Sequence, residues 1–428
     1  MNPDPENARD HALSILGEGS IDPWGIPEPG ASTLMVSVAG DDEPSIEWIR
    51  DAIAIDPGAE DGIRELDESI DGPAFALWAV PLMLGEHPVP VIAWAERIEH
   101  PDSMPEVARG ANWMIGVQTI LDPQCPLEVW TRLAGLLLRT SPRITALFDQ
   151  ETEQWFDRDE IERHFLNSAP TTHEGMLFRV HATATTERPE EADSIWLHTE
   201  GLRRCGCPEL EILELPAAHL GVAHELLNAL GALFITRGVP APGMRFEAGS
   251  GVPLVLNDWR ASVEVLAEQS LGSAEHRRML GGDDADNPLL EARAVVCGPD
   301  PVGTYRKVHT WPREAIEAIE SGRAALERTP AWTAFRSVLA RSLWPRFMEL
   351  HASGRRMLAC MAMETGEASR DHVWIEVSEA TNASLSGVII SETSGSAFPP
   401  GSTVEFEDLD TLVDWYSSDR PDSPRGGP

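Results

Sequence analysis

The residues of this chain whose types and spacing could do chemistry crowd into one stretch, Ser194–Pro216, SIWLHTEGLRRCGCPELEILELP. His198 stands just before Glu200, so on an extended segment an imidazole and a carboxylate could share acid and base roles. Glu209 and Glu211 form a second carboxylate pair, able to divide those roles where burial drives their pKa values apart. Arg203 and Arg204 could hold those acids in ion pairs or grip an anionic ligand. Cys205 and Cys207, with His198 and the earlier His181, offer the sulfur and nitrogen donors that zinc takes.

Each has a plainer account. Zinc sites space paired cysteines more widely and add a second ligand pair; none follows here, so no metal is expected and the cysteines read as small buried residues beside a turn. Glu209 and Glu211 on an alternating strand read as a solvated face in a chain with 70 acidic residues. His181 and His198 are either core histidines bonded to backbone carbonyls or site histidines. Gly249-Ser250-Gly251 is turn composition without the strand–turn–helix context of a catalytic serine. No phosphate loop G-x-x-x-x-G-K-S/T and no G-x-G-x-x-G fingerprint occurs, so ATP, GTP and NAD chemistry are unsupported and no cofactor is expected.

The elements that must position these groups follow from period and punctuation. Ile195–Thr199 is β-branched, aromatic and apolar, the composition of a half-buried strand. On it His198 shares a face with Trp196 and Glu200. Gly201, Gly206 and Pro208 interrupt, and Glu209–Ile212 alternates as a second strand, making a hairpin-like unit whose arginines reach outward from the turn. Met176–Thr183, carrying His181, is a third strand able to pair with the first. Ala217–Arg237 repeats apolar residues at helical spacing and stops at Gly238, so it should pack on this sheet.

Around this centre the chain divides. Residues 1–31 read as a loose leader. Residues 32–100 read as a small β-α-β-β unit: strand Thr33–Ala39, helix Pro44–Ile55, strands Ala74–Leu84 and Pro90–Ile98. Residues 101–260 form the central α+β domain, with strand Asn112–Leu121, helix Leu127–Arg139, strand Ile144–Phe148 and a polar helix Asp157–Asn167 ahead of the focal strands. Residues 261–328 read as a connecting region holding a helix Ala261–Ser270 and an acidic linker Gly281–Asn287. Residues 329–418 form a β-rich module led by a helix to Ala352, kinked at Pro345, with four short strands: Met357–Met363, His372–Val377, Leu385–Ile390 and Thr403–Phe406. Residues 419–428 are a disordered tail. The fold class is α+β: a small N-terminal unit, a central mixed sheet backed by a long helix, and a helix-led C-terminal module.

Composition narrows the function. A chain of 428 residues with 42% apolar content builds packed cores, in about two or three domains. Its 70 acidic residues face 33 basic ones, a net charge of -37, and Lys307 is the single lysine. Such a field repels phosphate backbones and anionic lipid surfaces and steers cationic partners in. Neither nucleic acid nor membrane is expected as a partner. Five scattered cysteines are no disulfide framework and fit a reducing cytoplasm. The first twenty residues lack a signal-peptide pattern, and no long unbroken apolar run occurs. A cytoplasmic location is expected.

Two regions resemble known families. Ala340 and Arg341 through Phe347, then His372–Val377, Gly387, Pro399–Val404 and Asp414-Trp415-Tyr416, resemble the bacterial domain of unknown function 2314, over roughly residues 330–417. Trp196–Leu202 with Arg204, Gly206, Pro208–Glu211 and Val180-His181-Ala182 resembles a companion, domain of unknown function 4026, in the N-terminal and central part. That companion commonly reads His-Thr-His-Gly-Leu where this chain reads His198-Thr199-Glu200-Gly201-Leu202, so the second histidine is a glutamate here. The resemblance implies a bacterial cytoplasmic protein and carries no activity with it.

The reading that follows is a non-catalytic cytoplasmic binding or interaction protein, of immunity or regulatory type, with a protein partner. Its candidate ligand or partner site is His181, Trp196, His198, Glu200, Arg203, Arg204, Glu209 and Glu211. The competing reading is a hydrolase-like enzyme using His181, His198, Glu200 and Glu209.

Overall fold

The computed structural model describes residues 24, 26, 29–54, 64–65, 74–84, 87–100, 104–166, 171–186, 192–263, 266–268, 270–281, 292–299, 311–321, 323–364, 370–390 and 399–418. Most of the expected leader, the acidic linker from residue 282 on, and the tail lie outside them.

Period-two spacing turns Leu34, Val36 and Val38 of β1 (Ala31–Ala39) inward. Six further strands complete its sheet: β2 (Arg64–Glu65), β3 (Ala74–Leu84), β4 (His87–Arg97), β5 (Ala111–Ile120), β6 (Ile144–Asp149) and β7 (Gln154–Phe156). The order is β2-β3-β4-β5-β1-β6-β7, antiparallel throughout. The expected boundary at residue 100 therefore cuts through a sheet. β1 is a central strand, and both its partners, β5 and β6, come from beyond that point. Helix α1 (Ile46–Ala54) packs on α2 (Pro126–Arg139), whose stripe Val129, Trp130, Leu133, Leu136 and Leu137 is buried. The polar helix expected after Asp157 starts as α3 (Arg158–Ile161), under a capping box of Asp157 and Glu160, and widens into a π turn, Glu162–Leu166.

The second sheet holds β8 (Arg179–Ala184), β9 (Ile195–Glu200), β10 (Glu209–Leu215), β11 (Arg245–Glu247), β13 (Pro253–Asp258) and β14 (Arg293–Cys297), while β12 (Gly249–Ser250) pairs with β15 (Ala325–Leu326) as a small ribbon. Its order is β11-β13-β14-β10-β9-β8, with only β10 and β14 parallel. β14 sits in the middle, though its residues read as connecting chain. Arg-Ala-Val-Val-Cys is buried at every position, so it shows no alternation by which a strand is recognised.

Helix α4 (Leu220–Arg237) packs on one face, against β9 and β10. Its length and apolar content match a membrane span, yet Val222, Ala223, Leu226, Leu227 and Leu230 are buried in the core that joins the first two sheets. The other face is covered in part by α5 (Trp259–Val263), shorter than the helix expected there, and α6 (Ala274–Gly281). Helix α7 (Arg313–Glu320) packs on α4.

The third sheet has its own core of Phe347, Met357, Val373, Ile375, Ile389 and Leu412. Helices α8 (Pro330–Ser342) and α9 (Trp344–Ala352) meet at Leu343, just before Pro345. Strands β16 (Arg356–Glu364), β17 (Arg370–Ala380), β18 (Leu385–Ile389), β19 (Thr403–Phe406) and β20 (Leu412–Ser418) run in the order β19-β18-β17-β16-β20. The expected module stopped at four strands. β20, which carries Asp414-Trp415-Tyr416, closes the far side.

Candidate functional site

β9 and β10 form the expected antiparallel unit, and their register aligns three candidate residues. Glu211 lies opposite His198, and His198 opposite His181 on β8, so one row crosses three strands. The turn between β9 and β10 is a short 3-10 segment, Leu202–Cys205, flanked by Gly201 (φ 110°) and Gly206 (φ 73°). Both glycines occupy left-handed backbone that side chains resist. At Gly201 a Cβ would also stand 2.6 Å from the Leu177 carbonyl oxygen.

That turn aims Arg204 inward, against the expectation that it reaches outward. Its guanidinium donates to Asp149 Oδ1 and Oδ2 at 2.9 and 2.8 Å, to the Leu177 carbonyl at 3.0 Å and to Ser32 Oγ at 3.1 Å. Burial works against the charge; the Asp149 carboxylate, together with Cys205 and Glu151, outweighs it and raises the group above its ordinary value. Arg204 thus clamps the second sheet to the first. Glu209 holds the same turn from the other side. Its carboxylate accepts from Thr199 Oγ1 at 2.7 Å, Gly201 N at 2.9 Å and Arg203 N at 3.0 Å. Burial pushes its carboxyl up, while Arg293 and these donors pull it back.

Glu211 is also interior, not part of a solvated face. Arg277 of α6 donates to both of its oxygens at 2.8 Å, and Trp196 Nε1 donates to Oε2 at 2.9 Å. The Arg277 guanidinium lies between two indoles, 4.7 Å from Trp196 and 4.6 Å from Trp259. Trp196 then stacks on His198 at 4.4 Å, and His198 on His181 at 5.7 Å. The result is a continuous column from Trp259 to His181. Trp196 is fully buried in it, so the aromatic expected on a binding surface is unavailable there. Arg277 and Trp259 escaped the sequence reading because a buried arginine leaves no periodic signal.

At the column's outer end the environment changes. Glu200, with 43% of its side chain exposed, lies 3.4 Å from His198 Nε2 and 3.3 Å from His181 Nε2. Burial lowers the His198 pKa, partly countered by the Glu200 hydrogen bond. That same bond holds the Glu200 carboxyl below its ordinary range. A neutral imidazole directed at a carboxylate is half of a catalytic dyad, but here its orientation is reversed. The Glu200 carboxylate is on the solvent side, and His198 Nδ1, the nitrogen that would act as base, is buried without a hydrogen-bond partner among the described residues. Of the eight candidates, His181, Glu200 and Arg203 are at least partly exposed; Trp196, His198, Arg204, Glu209 and Glu211 are buried.

A second histidine pair, not singled out by the sequence, lies where α8 meets the central part. His173 stacks on Phe335 at 4.2 Å and meets Trp332 edge-on at 4.6 Å, and its Nδ1 accepts from Gly175 N at 3.2 Å. His164 Nδ1 lies 2.9 Å from Thr171 Oγ1 and its ring 5.8 Å from Phe335. Thr329, which caps α8, donates to the buried Glu174 carboxylate at 2.7 Å.

Comparison with known families places this geometry. A family model described as a protein of unknown function (DUF4026), C-terminal, matches residues 180–287. That span takes in all eight candidate residues, both sides of the turn, and the α6 arginine. No curated protein and no solved structure matches the chain.

Proposed function

We propose that this is a non-catalytic binding protein whose interaction surface is the open end of the column, His181 and Glu200, with the partly exposed Arg203 in the turn that follows. The observation that carries this reading is the inward orientation of His198 Nδ1. A general base must reach the proton that it takes, and this nitrogen faces the interior. Glu209, needed as the second carboxylate of a hydrolase, has its oxygens committed to Thr199, Gly201 and Arg203. What remains at the surface is an anionic carboxylate between two imidazoles, suited to a cationic or hydrogen-bond-donating group. A net charge of -37 draws such a partner by long-range steering. A bacterial cytoplasmic setting, a protein partner of immunity or regulatory type, and the kinship of residues 330–417 with domain of unknown function 2314 belong to the same proposal. So does the exclusion of nucleic acid and membrane.

The test is a pull-down from native lysate with the full chain and with Glu200→Gln and His181→Ala. A stoichiometric protein captured by the native chain and lost by both variants supports the reading. Capture unchanged in both variants overturns the site. A hydrolase reading is favoured by one observation, the Glu200–His198 contact; turnover of an ester or phosphoester panel, abolished by His198→Gln, would replace the first proposal.

A further inference from the structure

Away from this site, one carboxylate of the C-terminal module serves two guanidinium groups. Asp414 on β20 accepts from Arg336 Nε at 3.1 Å and from Arg336 Nη2 at 2.7 and 2.6 Å, in bidentate fashion, and from Trp415 N at 2.8 Å. Its lone pairs are thereby largely taken. Arg328 approaches the same carboxylate only at 3.5 Å, beyond good hydrogen-bond distance. One negative charge stands against two positive ones, in a chain that is otherwise strongly acidic.

Arg328 lines a groove of about 430 Å³ between α8 and the strands β16, β17 and β20. That volume falls within the range of small-molecule sites. Thr333 and Ser337, one turn apart on α8, turn toward it, as do His372 and Asp410. Thr333 Oγ1 already donates to the Thr329 carbonyl at 2.9 Å, leaving its lone pairs; Ser337 adds a second hydroxyl. The exposed Asp410 carboxylate opposes a multiply charged anion and welcomes a cation.

We infer that this groove binds a small zwitterion of the amino-acid class. Its carboxylate is taken by Arg328, in the bidentate geometry that guanidinium offers, with Ser337 as a hydroxyl donor. Its ammonium group faces Asp410. Nothing in this site depends on the His181–Glu200 surface, so the two readings fail separately.

The experiment is calorimetric titration of the full chain with glycine, β-alanine and 4-aminobutanoate, beside acetate and inorganic phosphate. At least one zwitterion binds saturably and more tightly than acetate, and phosphate is weakest. Arg328→Gln weakens that binding about tenfold or more, the loss expected of a charge-assisted contact. Ser337→Ala, which leaves the Arg336–Asp414 ion pair untouched, weakens it about threefold. No saturable binding of any zwitterion up to about 20 mM, equal affinity in a folded Arg328→Gln protein, or phosphate as the tightest ligand each overturns the inference.

Discussion

Two pairs of histidines occupy opposite kinds of ground in this molecule. His181 and His198 stack across β8 and β9 with Glu200 within 3.4 Å of both rings, and one side of that cluster meets solvent. His164 and His173 are buried beneath α8 against Phe335 and Trp332. For His198 the Glu200 carboxylate partly counters burial. For His173, burial, then His164, then Arg336 all act in one direction and lower its pKa to about 3. The difference lies in the partners. An imidazole beside an exposed carboxylate can answer a ligand, whereas one beneath aromatic rings is held neutral by its burial.

The sharpest way to break this comparison is to remove the support of the open pair. Glu211→Ala would leave Arg277 buried between Trp196 and Trp259 without its carboxylate. Breaking a buried pair by removing one partner costs about 3–5 kcal/mol. Urea unfolding should register that loss as a lower midpoint at an unchanged slope. A loss below about 1 kcal/mol would show that the Glu211–Arg277 pair is not a buried support of the column.

Next in size is the acid response of the sealed pair. Folded His173 stays neutral down to about pH 3, whereas the unfolded chain takes up its proton near 6.5. The unfolded state therefore binds more protons as pH falls, and stability is lost through the window between those values. At pH 5 this residue alone accounts for about 2 kcal/mol. His173→Phe keeps a ring against Phe335 and removes the titration. The native chain should lose that much more than the variant between pH 7 and pH 5, by chemical denaturation at each pH. Equal losses would mean that burial does not hold His173 neutral in the folded chain.

Much of the open site was legible because its residues are neighbours in sequence. Period-two alternation gave β9 and β10, the glycines gave the turn, and the placing of His181 on a pairing strand followed. What stayed hidden depends on long-range contacts. Nothing local tells Arg204, aimed at Asp149, from Arg203, which remains partly exposed. Glu211 looked like the wet side of an alternating strand because its partner, Arg277, lies 66 residues on. The first sheet was cut at residue 100 for a related reason: β1's partners come later in the chain than the hairpin β3–β4, and periodicity carries no record of which strands pair. The sealed histidines were missed outright, since Phe335 comes from the far end of the chain.

The smallest expected effect on stability falls on the residue that matters most to the proposed function. Glu200 is 43% exposed, and its ties to His181 and His198 are at 3.3 and 3.4 Å. Its lowered pKa adds stability that is present above the ordinary carboxylate range and lost as pH falls through the folded value. Solvent screening keeps that contribution below about 1 kcal/mol. Glu200→Gln retains the shape and an acceptor oxygen and deletes the charge, so its melting temperature should stay within about 3 °C of the native chain. Binding should respond instead. A cationic partner loses its counter-charge in the variant, and the salt dependence of association should flatten with it. Surface plasmon resonance between about 50 and 300 mM salt against the captured partner reads both. If Glu200→Gln unfolds the sheet, the carboxylate is a structural brace like Glu209, and the contrast between an open and a sealed histidine pair disappears.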